Sequence, residues 1–321
     1  MKGPEIKKIA VIGSGVIGSS WSTYFLWKGF DVAVYDVDDK ALALARDRIV
    51  ANLDYLIKKG VIKKKSADTF LKKALFTTDI KNALEKADFI QEAAPEYYNV
   101  KQSIMKAVDE HSSPDTVFAS STSGLLISEI AKFSKYPERC IGAHPYNPPH
   151  LIPLVELNKG EKTGKEYLQQ AFDFYKAIGK EPIILNKEAL GFISNRLQLA
   201  LYREVIDLVM RGVCTVEDVD KAVCYGPGLR WALMGPSLIF HLGGGKVGLK
   251  GLLEHVGPSV ELWWADMADW KKWPERSRDI LQDGVVKEMA NLPPEQGRTV
   301  EEISRWRDDM LIDLLRLLNR I

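Results

Sequence analysis

The fold of the N-terminal half is decided by the stretch Val11-Ile-Gly13-Ser-Gly15-Val-Ile-Gly18. This stretch follows an apolar, β-branched run and opens a helical pattern that stops at Gly29, and glycine is a common signal for the end of a helix. A second apolar run, Asp31–Tyr35, comes directly afterwards. A strand, a helix and a strand within about 30 residues make a βαβ unit. The stretch therefore predicts the start of a mainly parallel sheet.

Short apolar runs alternate with helical patterns along the rest of the first half. The pattern between Lys40 and about Lys65 is typical of one long helix or of a pair of helices. Repeated βα units predict a doubly wound, Rossmann-type α/β domain. The candidate strands are Lys8–Ile12, Asp31–Tyr35, Phe89–Glu92, Thr116–Ser120, Cys140–His144 and Pro182–Leu185.

The second half has a different pattern, which is almost entirely helical. One helix is predicted from Gly191 to about Met210, and the capping box Thr215-Val-Glu-Asp218 opens another. The tail Val300–Ile321 is amphipathic. We therefore expect a Rossmann-type NAD-binding domain over residues 1–187, followed by an all-helical domain for substrate binding and dimerisation over residues 188–321.

Composition and charge exclude several classes of protein. Hydrophobic residues make up 46% of the 321 residues and charged residues 27%, which is typical of a globular chain and excludes a disordered one. The 44 basic and 43 acidic side chains leave a formal charge of +1, so no nucleic acid or anionic membrane is expected as a partner. Because no apolar run approaches the roughly 18 residues of a membrane span and no secretory signal precedes the first strand, we expect a cytoplasmic protein.

Cysteine and histidine spacings give no indication of a metal. The three cysteines, Cys140, Cys214 and Cys224, are too few and too scattered for a disulfide framework or a zinc site. Neither an H-E-x-x-H nor a C-x-x-C pattern occurs. The sequence therefore predicts chemistry without a metal.

The glycine-rich stretch has the G-x-G-x-x-G spacing of a dinucleotide-binding turn. Gly13 permits the tight turn, Gly15 lets a diphosphate approach the backbone, and Gly18 lets the helix pack closely on the strand. Val16 and Ile17 lie between them, where the first amide groups of the helix attract a diphosphate. Because the stretch joins a strand to a helix, it is a strong signal for a bound dinucleotide.

Asp36 identifies the nucleotide. It ends the second predicted strand, 18 positions after Gly18. A carboxylate at this place accepts hydrogen bonds from the adenine ribose hydroxyls and repels a 2′-phosphate. No arginine follows Asp36 before Arg46, so NAD is favoured over NADP. An FAD enzyme and a purely structural turn are the less favoured alternatives.

A histidine and a glutamate provide the candidate chemistry. His144 ends a predicted strand and enters the stiff turn Pro145-Tyr-Asn-Pro-Pro149. Ligands of open α/β sheets bind beyond the carboxyl ends of the strands, and a histidine there can take the proton of a substrate hydroxyl near neutral pH. Glu156 lies among apolar neighbours, where a carboxylate needs a partner. His144 is the obvious partner, so the pair predicts a general base that is oriented by an acid.

Six segments carry a resemblance to the 3-hydroxyacyl-CoA dehydrogenase family, in the order and at the spacing found in that family. The resemblance implies an NAD-dependent oxidoreductase that acts on a secondary hydroxyl group, with His144 and Glu156 as the catalytic pair. The segments are Gly13–Gly18, Glu92-Ala-Ala-Pro-Glu96, Ser120-Ser-Thr-Ser-Gly124, His144-Pro-Tyr-Asn147, Leu154-Val-Glu156 and Gly191-Phe-Ile-Ser-Asn-Arg196.

The resemblance also implies roles for five further residues. Ser123 corresponds to the serine that hydrogen-bonds the reacting oxygen, and Asn195 to the asparagine that completes the catalytic site. Glu96 and Lys101 correspond to residues near the nicotinamide ribose. Asn147 corresponds to a neighbour of the nicotinamide ring.

The sequence departs from the acyl-CoA enzymes in the residues that would contact the substrate. Thr122 stands where those enzymes typically have asparagine, and Gly228-Leu-Arg-Trp-Ala-Leu-Met-Gly-Pro236 resembles the branch that acts on free hydroxy acids such as L-carnitine and L-gulonate. A trimethylammonium group binds aromatic faces, and a carboxylate pairs with a guanidinium. We therefore expect Tyr146, Arg230 and Trp231 to bind the substrate, with L-carnitine as the leading candidate.

Several alternatives remain open at this point. A CoA ester such as 3-hydroxybutyryl-CoA is favoured by a lysine run near the place where family members bind CoA phosphates. L-Gulonate is another free acid of the same branch, and an NAD-binding, crystallin-like structural protein is the alternative without activity. The apolar helical tail favours a homodimer formed through the second domain. The lysines of the run are Lys58, Lys59, Lys63, Lys64 and Lys65.

Overall fold

The computed structural model of the protein describes residues 6–63 and 66–321. Contacts divide the chain into two compact units. The first unit runs up to Asn195 and also includes Met310–Ile321, whereas the second unit is Arg196–Asp309. The first unit thus extends eight residues past the expected boundary at 187/188 and also takes in the C-terminal tail. The expected domains stay a prediction.

One sheet forms the centre of the first unit, and eight strands are described in it. Its strand order is β3-β2-β1-β4-β5-β6-β7-β8, and all neighbours are parallel except β6 and β7. In chain order the strands are β1 (Lys8–Ile12), β2 (Asp31–Tyr35), β3 (Ala74–Thr77), β4 (Phe89–Glu92), β5 (Val117–Ser120), β6 (Cys140–Pro145), β7 (Leu154–Lys159) and β8 (Glu181–Ile184).

Helices cover both faces of this sheet, as a parallel sheet requires. Ile9 and Val11 of β1 pack in one core cluster, while Ala10 and Ile12 pack in another on the opposite face. The predicted doubly wound α/β fold is thus confirmed. The helices of this unit are α1 (Val16–Trp27), α2 (Asp39–Lys58), α3 (Ala67–Leu71), α4 (Ile80–Leu84), α5 (Tyr98–His111), α6 (Ile127–Ile130) and α7 (Lys165–Ala177), with a 3₁₀ turn at Pro137–Arg139.

Two predictions for the first unit need correction. The strand β3 was not among the predicted strands, because this edge strand has only four residues and is only half-buried. One long helix or a pair of helices was expected between Lys40 and about Lys65; the structure has α2, which ends at Lys58 and is followed by Gly60 at φ +69°. Lys64 and Lys65 lie outside the described residues.

Helices form the second unit, as predicted for this part of the chain. The capping box is confirmed: the Thr215 hydroxyl accepts from the Asp218 N–H at 3.1 Å, and the helix that it opens is capped at Gly226. In the described chain these helices are α8 (Ser194–Met210), which begins in the first unit, α9 (Val216–Tyr225), α10 (Pro227–Trp231), α11 (Pro236–Gly243), α12 (Gly248–Asp266), α13 (Ser277–Asn291) and α14 (Val300–Leu317), with 3₁₀ turns at Gly245–Val247 and Pro294–Gln296.

The end of α14 returns to the first unit and packs there. Ile312 and Leu315 are buried in the main core cluster of that unit. The Arg316 guanidinium donates to the backbone carbonyl of Lys59, and Arg320 forms an ion pair with Glu181. Part of the apolar stripe that was expected to serve a dimer is therefore used within the chain.

No helix of the described residues has the length and apolar character that crossing a membrane needs. Within the same residues, no group of three or more His, Cys, Asp or Glu side chains is placed to hold a metal ion.

Candidate active site

The glycine-rich turn between β1 and α1 has the shape that a dinucleotide requires. Gly13 has φ +94°, and a Cβ there would lie 2.7 Å from the Ala93 carbonyl oxygen. A Cβ on Gly18 would lie 1.8 Å from the Gly13 carbonyl oxygen, so both positions need glycine. A Cβ on Gly15 would meet nothing within 4 Å. The turn is therefore closed against the sheet and open on the side from which a diphosphate approaches the start of α1.

Asp36, directly after β2, is oriented by the same turn. Its Oδ2 accepts from the backbone N–H of Ser14 at 2.8 Å and from the Ser14 hydroxyl at 2.7 Å, and its Oδ1 accepts from the Val37 N–H at 2.8 Å. A carboxylate offers about four acceptor positions, so capacity remains for a ribose hydroxyl. Sequence reasoning missed Ser14, which fixes the carboxylate beside the turn.

His144 and Glu156 meet on adjacent antiparallel strands. They are register partners in β6 and β7, and His144 Nδ1 lies 2.8 Å from Glu156 Oε2. Both side chains are buried. The contact joins residues that are 12 positions apart.

The surroundings of Glu156 favour its ionised form and thereby determine which nitrogen of His144 faces it as a donor. Oε1 accepts from the N–H groups of Ile193 and Ser194 at 3.0 and 2.9 Å, and Oε2 accepts from the Ser194 hydroxyl at 2.5 Å. Burial raises the pKa of Glu156, but the hydrogen bonds from His144 and Ser194 outweigh it, so this pKa lies below its ordinary value. An ionised Glu156 only accepts, so Nδ1 of His144 donates and Nε2 is the basic nitrogen.

Ser123 lies on a loop after β5 that is held from two sides. Its N–H donates to Glu96 Oε1 at 2.7 Å, and the hydroxyl of the adjacent Thr122 donates to the same oxygen at 2.6 Å. Its carbonyl oxygen accepts from Asn195 Nδ2 at 2.9 Å. The Ser123 residue itself is exposed. Glu96 and Asn195 therefore fix the backbone that presents the Ser123 hydroxyl.

Lys101 is buried beneath this loop. Its Nζ lies 2.8 Å from Glu92 Oε1 and 3.4 Å from Glu96 Oε2. Glu92 is also fully buried, and its Oε2 accepts from the Ser120 hydroxyl at 2.5 Å. Lys101 thus links the end of β4 to the Glu96 carboxylate, and Glu92 is a second member of this network that sequence reasoning did not single out.

The segment from Gly191 to Asn195 connects the base to the Ser123 loop. Gly191 and Phe192 both have positive φ, at +73° and +51°, which is uncommon for a bulky residue such as phenylalanine. The Phe192 ring lies 5.6 Å from the His144 ring. A Cβ on Gly124 would lie 3.1 Å from the Gly191 nitrogen, so the two loops approach closely. One short segment therefore touches His144, Glu156 and the Ser123 loop.

The turn after His144 carries two further predicted residues. The half-buried Tyr146 has its ring 5.8 Å from the His144 ring, at an interplanar angle of 68°. Asn147 is exposed and precedes a cis peptide bond to Pro148. The structure therefore places the Tyr146 ring beside the His144 ring.

Lys180 binds the backbone of the segment that follows His144. Its Nζ donates to the carbonyl oxygens of Pro149 and Ile152, and it lies 3.8 Å from the centre of the Tyr24 ring. Because Lys180 is buried, its pKa is well below the ordinary value.

Arg230 and Trp231 belong to the second unit, where they are exposed on α10. Trp263 and Trp264 are exposed on α12 of that unit. The contact of Arg230 and Trp231 with a substrate stays a prediction.

Family models match nearly all of this architecture. The NAD-binding domain of 3-hydroxyacyl-CoA dehydrogenase matches residues 8–189, and the C-terminal domain of the same enzyme matches residues 191–281. The chain belongs to the 3-hydroxyacyl-CoA dehydrogenase family, and it is an NAD-dependent dehydrogenase. An enzyme is thereby favoured over the crystallin-like alternative without activity.

Individual relatives extend the similarity over the full length. The chain is 37% identical to the L-carnitine dehydrogenase of Oceanobacillus iheyensis, over 98% of each chain. It is 38% identical to the L-carnitine dehydrogenase of Bacillus cereus, over 98% of this chain and 94% of that one. Among solved structures, an NAD⁺-dependent 5-formyl-3-hydroxy-2-methylpyridine 4-carboxylic acid 5-dehydrogenase is 29% identical, with a TM-score of 0.79 over 98% of this chain and 97% of that chain.

Proposed function

We propose that the chain oxidises the 3-hydroxyl group of a small 3-hydroxy acid to the 3-keto acid, and that L-carnitine is the substrate. The product would be 3-dehydrocarnitine. The observation that carries this proposal is the similarity, over nearly the whole of both chains, to relatives that are named L-carnitine dehydrogenases.

The geometry of the first unit supports a simple mechanism. NAD, when bound, supplies the acceptor for the hydride that leaves the substrate's C3. His144 Nε2 takes the proton of the 3-hydroxyl, and the ionised Glu156 stabilises the imidazolium that results. The Ser123 hydroxyl donates to the reacting oxygen, and Asn195 holds Ser123 in place.

The cofactor is assigned to the turn and loops described above. The backbone of the glycine-rich turn would hold the diphosphate, and Asp36 would hold the adenine ribose. Glu96 and Asn147 would lie near the nicotinamide end, and the buried Lys101 acts there through Glu96. The turn residues are Gly13, Gly15, Val16, Ile17 and Gly18.

The substrate's two charged ends suggest separate partners. The Tyr146 ring beside His144 offers a face to a trimethylammonium group. Arg230 would pair with the carboxylate and Trp231 would add a second aromatic face.

Parallel assays with purified protein and NAD test this proposal. NADH absorbance is followed with L-carnitine, L-3-hydroxybutyryl-CoA, L-gulonate and 3-hydroxybutyrate. Turnover of L-carnitine with little or no turnover of the others supports the proposal. Turnover of the CoA ester alone overturns it and favours the second candidate, a 3-hydroxyacyl-CoA dehydrogenase, for which the matched family is named.

We propose in addition that the chain forms a homodimer through the second unit. Many apolar side chains of this unit are exposed, among them Leu262, Trp263 and Trp264 on α12. Exposed apolar patches of this kind mark interaction surfaces. Sedimentation at micromolar concentration should give twice the 36.1 kDa mass of one chain, and a monomer at that concentration would contradict this proposal.

A further inference from the structure

Ser194 contacts both oxygens of the Glu156 carboxylate. Its N–H donates to Oε1 at 2.9 Å and its hydroxyl donates to Oε2 at 2.5 Å. Oε2 is also the oxygen that accepts from His144 Nδ1. We infer that Ser194 is a positioning residue of the catalytic pair, whose hydroxyl fixes Glu156 so that His144 keeps Nδ1 as donor and Nε2 as base. This inference deepens the proposed function and rests on it.

The hydroxyl of Ser194 has a role that the backbone cannot replace. Oε1 is held by two backbone N–H groups, from Ile193 and Ser194, and these are present with any side chain. Oε2 is held by two side chains, His144 and Ser194. Without the Ser194 hydroxyl, His144 would be the remaining partner of a buried, charged oxygen, and a buried acceptor that loses a donor is costly.

Backbone geometry fixes the position of Ser194 independently of its side chain. The left-handed residues Gly191 and Phe192 turn the chain so that the first N–H groups of α8 point at Glu156. The start of this 17-residue helix also carries a partial positive charge that favours a carboxylate. Because Phe192 is buried against His144, removal of the Ser194 hydroxyl should leave the local fold in place.

Loss of the hydroxyl has a defined effect on the pH dependence. The groups that shift the pKa of Glu156 are His144, on β6, and Ser194, at the start of α8. With one donor fewer, the negative charge on Oε2 is less dispersed and stabilises the protonated form of His144 more strongly. Oxidation needs the unprotonated form, so the acid limb of the kcat/KM profile should move to higher pH.

Three variants separate this role from a structural one. Ser194→Ala removes the hydroxyl, and Ser194→Thr restores it. Ser128→Ala is the matched control, because the Ser128 hydroxyl donates at 2.6 Å to another glutamate, Glu188, outside the catalytic pair. We expect Ser194→Ala to lower kcat by about 10- to 100-fold, the loss expected for a hydrogen bond to a charged group, with the KM for NAD unchanged.

The expected pattern is a raised acid limb in Ser194→Ala, recovery in Ser194→Thr, and activity near that of the unsubstituted protein in Ser128→Ala. Two results would overturn the inference: Ser194→Ala with unchanged kcat and pH profile, or a loss of kcat that comes with a lower unfolding temperature and an unmoved profile.

A measurement without substrate keeps this test separate from the proposed function. NMR of the NAD-free protein can follow the His144 ring and its Nδ1–H proton as the pH is changed. In Ser194→Ala the ring should titrate at higher pH than in the unsubstituted protein, whatever the substrate is. Identical titrations would overturn the inference, whereas failure to oxidise any 3-hydroxy acid would overturn the proposed function alone.

Discussion

The two units of the chain differ in which side chains they bury and which they expose. The first unit buries charged groups and gives them partners, such as Lys101 with Glu92 and Arg139 with Asp109. The second unit has a small core around Ile206 and leaves large apolar side chains exposed, with Trp264 at 68%. Buried charges persist only where they are paired, so the first unit is constructed to hold polar groups in fixed positions, whereas the second unit presents surface.

The residues of the proposed mechanism all belong to the unit with the buried charges. His144, Glu156, Ser123 and Asn195 all lie in the first unit, and hydrogen bonds fix each of them or its backbone. In the second unit, by contrast, the ion pair of Arg211 with Asp266 is exposed. Its apolar surface is what the proposed homodimer would cover.

The largest effect should follow from removal of the base. His144→Ala deletes the proposed general base, and general-base catalysis contributes about 10²- to 10⁴-fold. We expect kcat with the best substrate to fall by that factor. His255→Ala is the control, because His255 is exposed in the second unit and should leave kcat unchanged. Near-normal turnover by His144→Ala would contradict the mechanism.

A second prediction compares a buried and an exposed ion pair of the first unit. Lys101→Met leaves the buried Glu92 without its cation, and loss of one partner of a buried pair costs about 3–5 kcal/mol of unfolding free energy. The control is Lys132→Met, because Lys132 pairs with Glu129 at 3.2 Å on the surface and such pairs contribute about 0–1 kcal/mol. Denaturant unfolding measures both. Equal losses of unfolding free energy in the two variants would mean that the buried ion pair contributes no more to stability than the exposed one.

Sequence patterns predicted the parts of the site that depend on short spacing. The alternation of strands and helices follows from local backbone rules, and the observed strands bear it out. The glycine-rich turn forms between β1 and α1, whereas the role of Asp36 stays a prediction. The contact of His144 with Glu156 could be inferred because both lie at apolar strand positions 12 residues apart. These features need no knowledge of distant loops.

Contacts that depend on loop geometry could not be predicted from sequence patterns. Ser194 lies 38 residues from Glu156, and its contact depends on the left-handed conformation of Gly191 and Phe192. A serine three residues after Gly191, at the start of a predicted helix, was the available signal. Lys101 was expected near the cofactor, but its burial against Glu92 became visible only with the packing of α5 on β4.

A third prediction tests the surface of the second unit. Trp264→Glu places a charge on α12 where an exposed indole stands. If that face forms the proposed homodimer, loss of a tryptophan that the contact buries should weaken association by about 2 kcal/mol or more. Sedimentation should then show more monomer than in Glu261→Gln, a control at another exposed position of the same helix. Unchanged association in Trp264→Glu would place the contact elsewhere.

The smallest effect is expected at an acidic pair of the second unit. Burial raises the pKa of both Asp220 and Glu288, and the charge of Asp220 raises that of Glu288 further. The folded state therefore holds protons more tightly than the unfolded state, so this pair should lower stability as the pH rises from about 4 through the raised pKa values. Asp220→Asn removes one charge, and it should raise the unfolding temperature slightly at pH 7 and leave it nearly unchanged at pH 4.

The gain should stay below about 1 kcal/mol, because Asp220 is only partly buried and the solvent that reaches it screens its charge. Asp283→Asn is the control, since it removes a charge outside this pair. Equal gains at both pH values would mean that repulsion between the carboxylates is not the cause, and that the second unit, unlike the first, owes little to its charges.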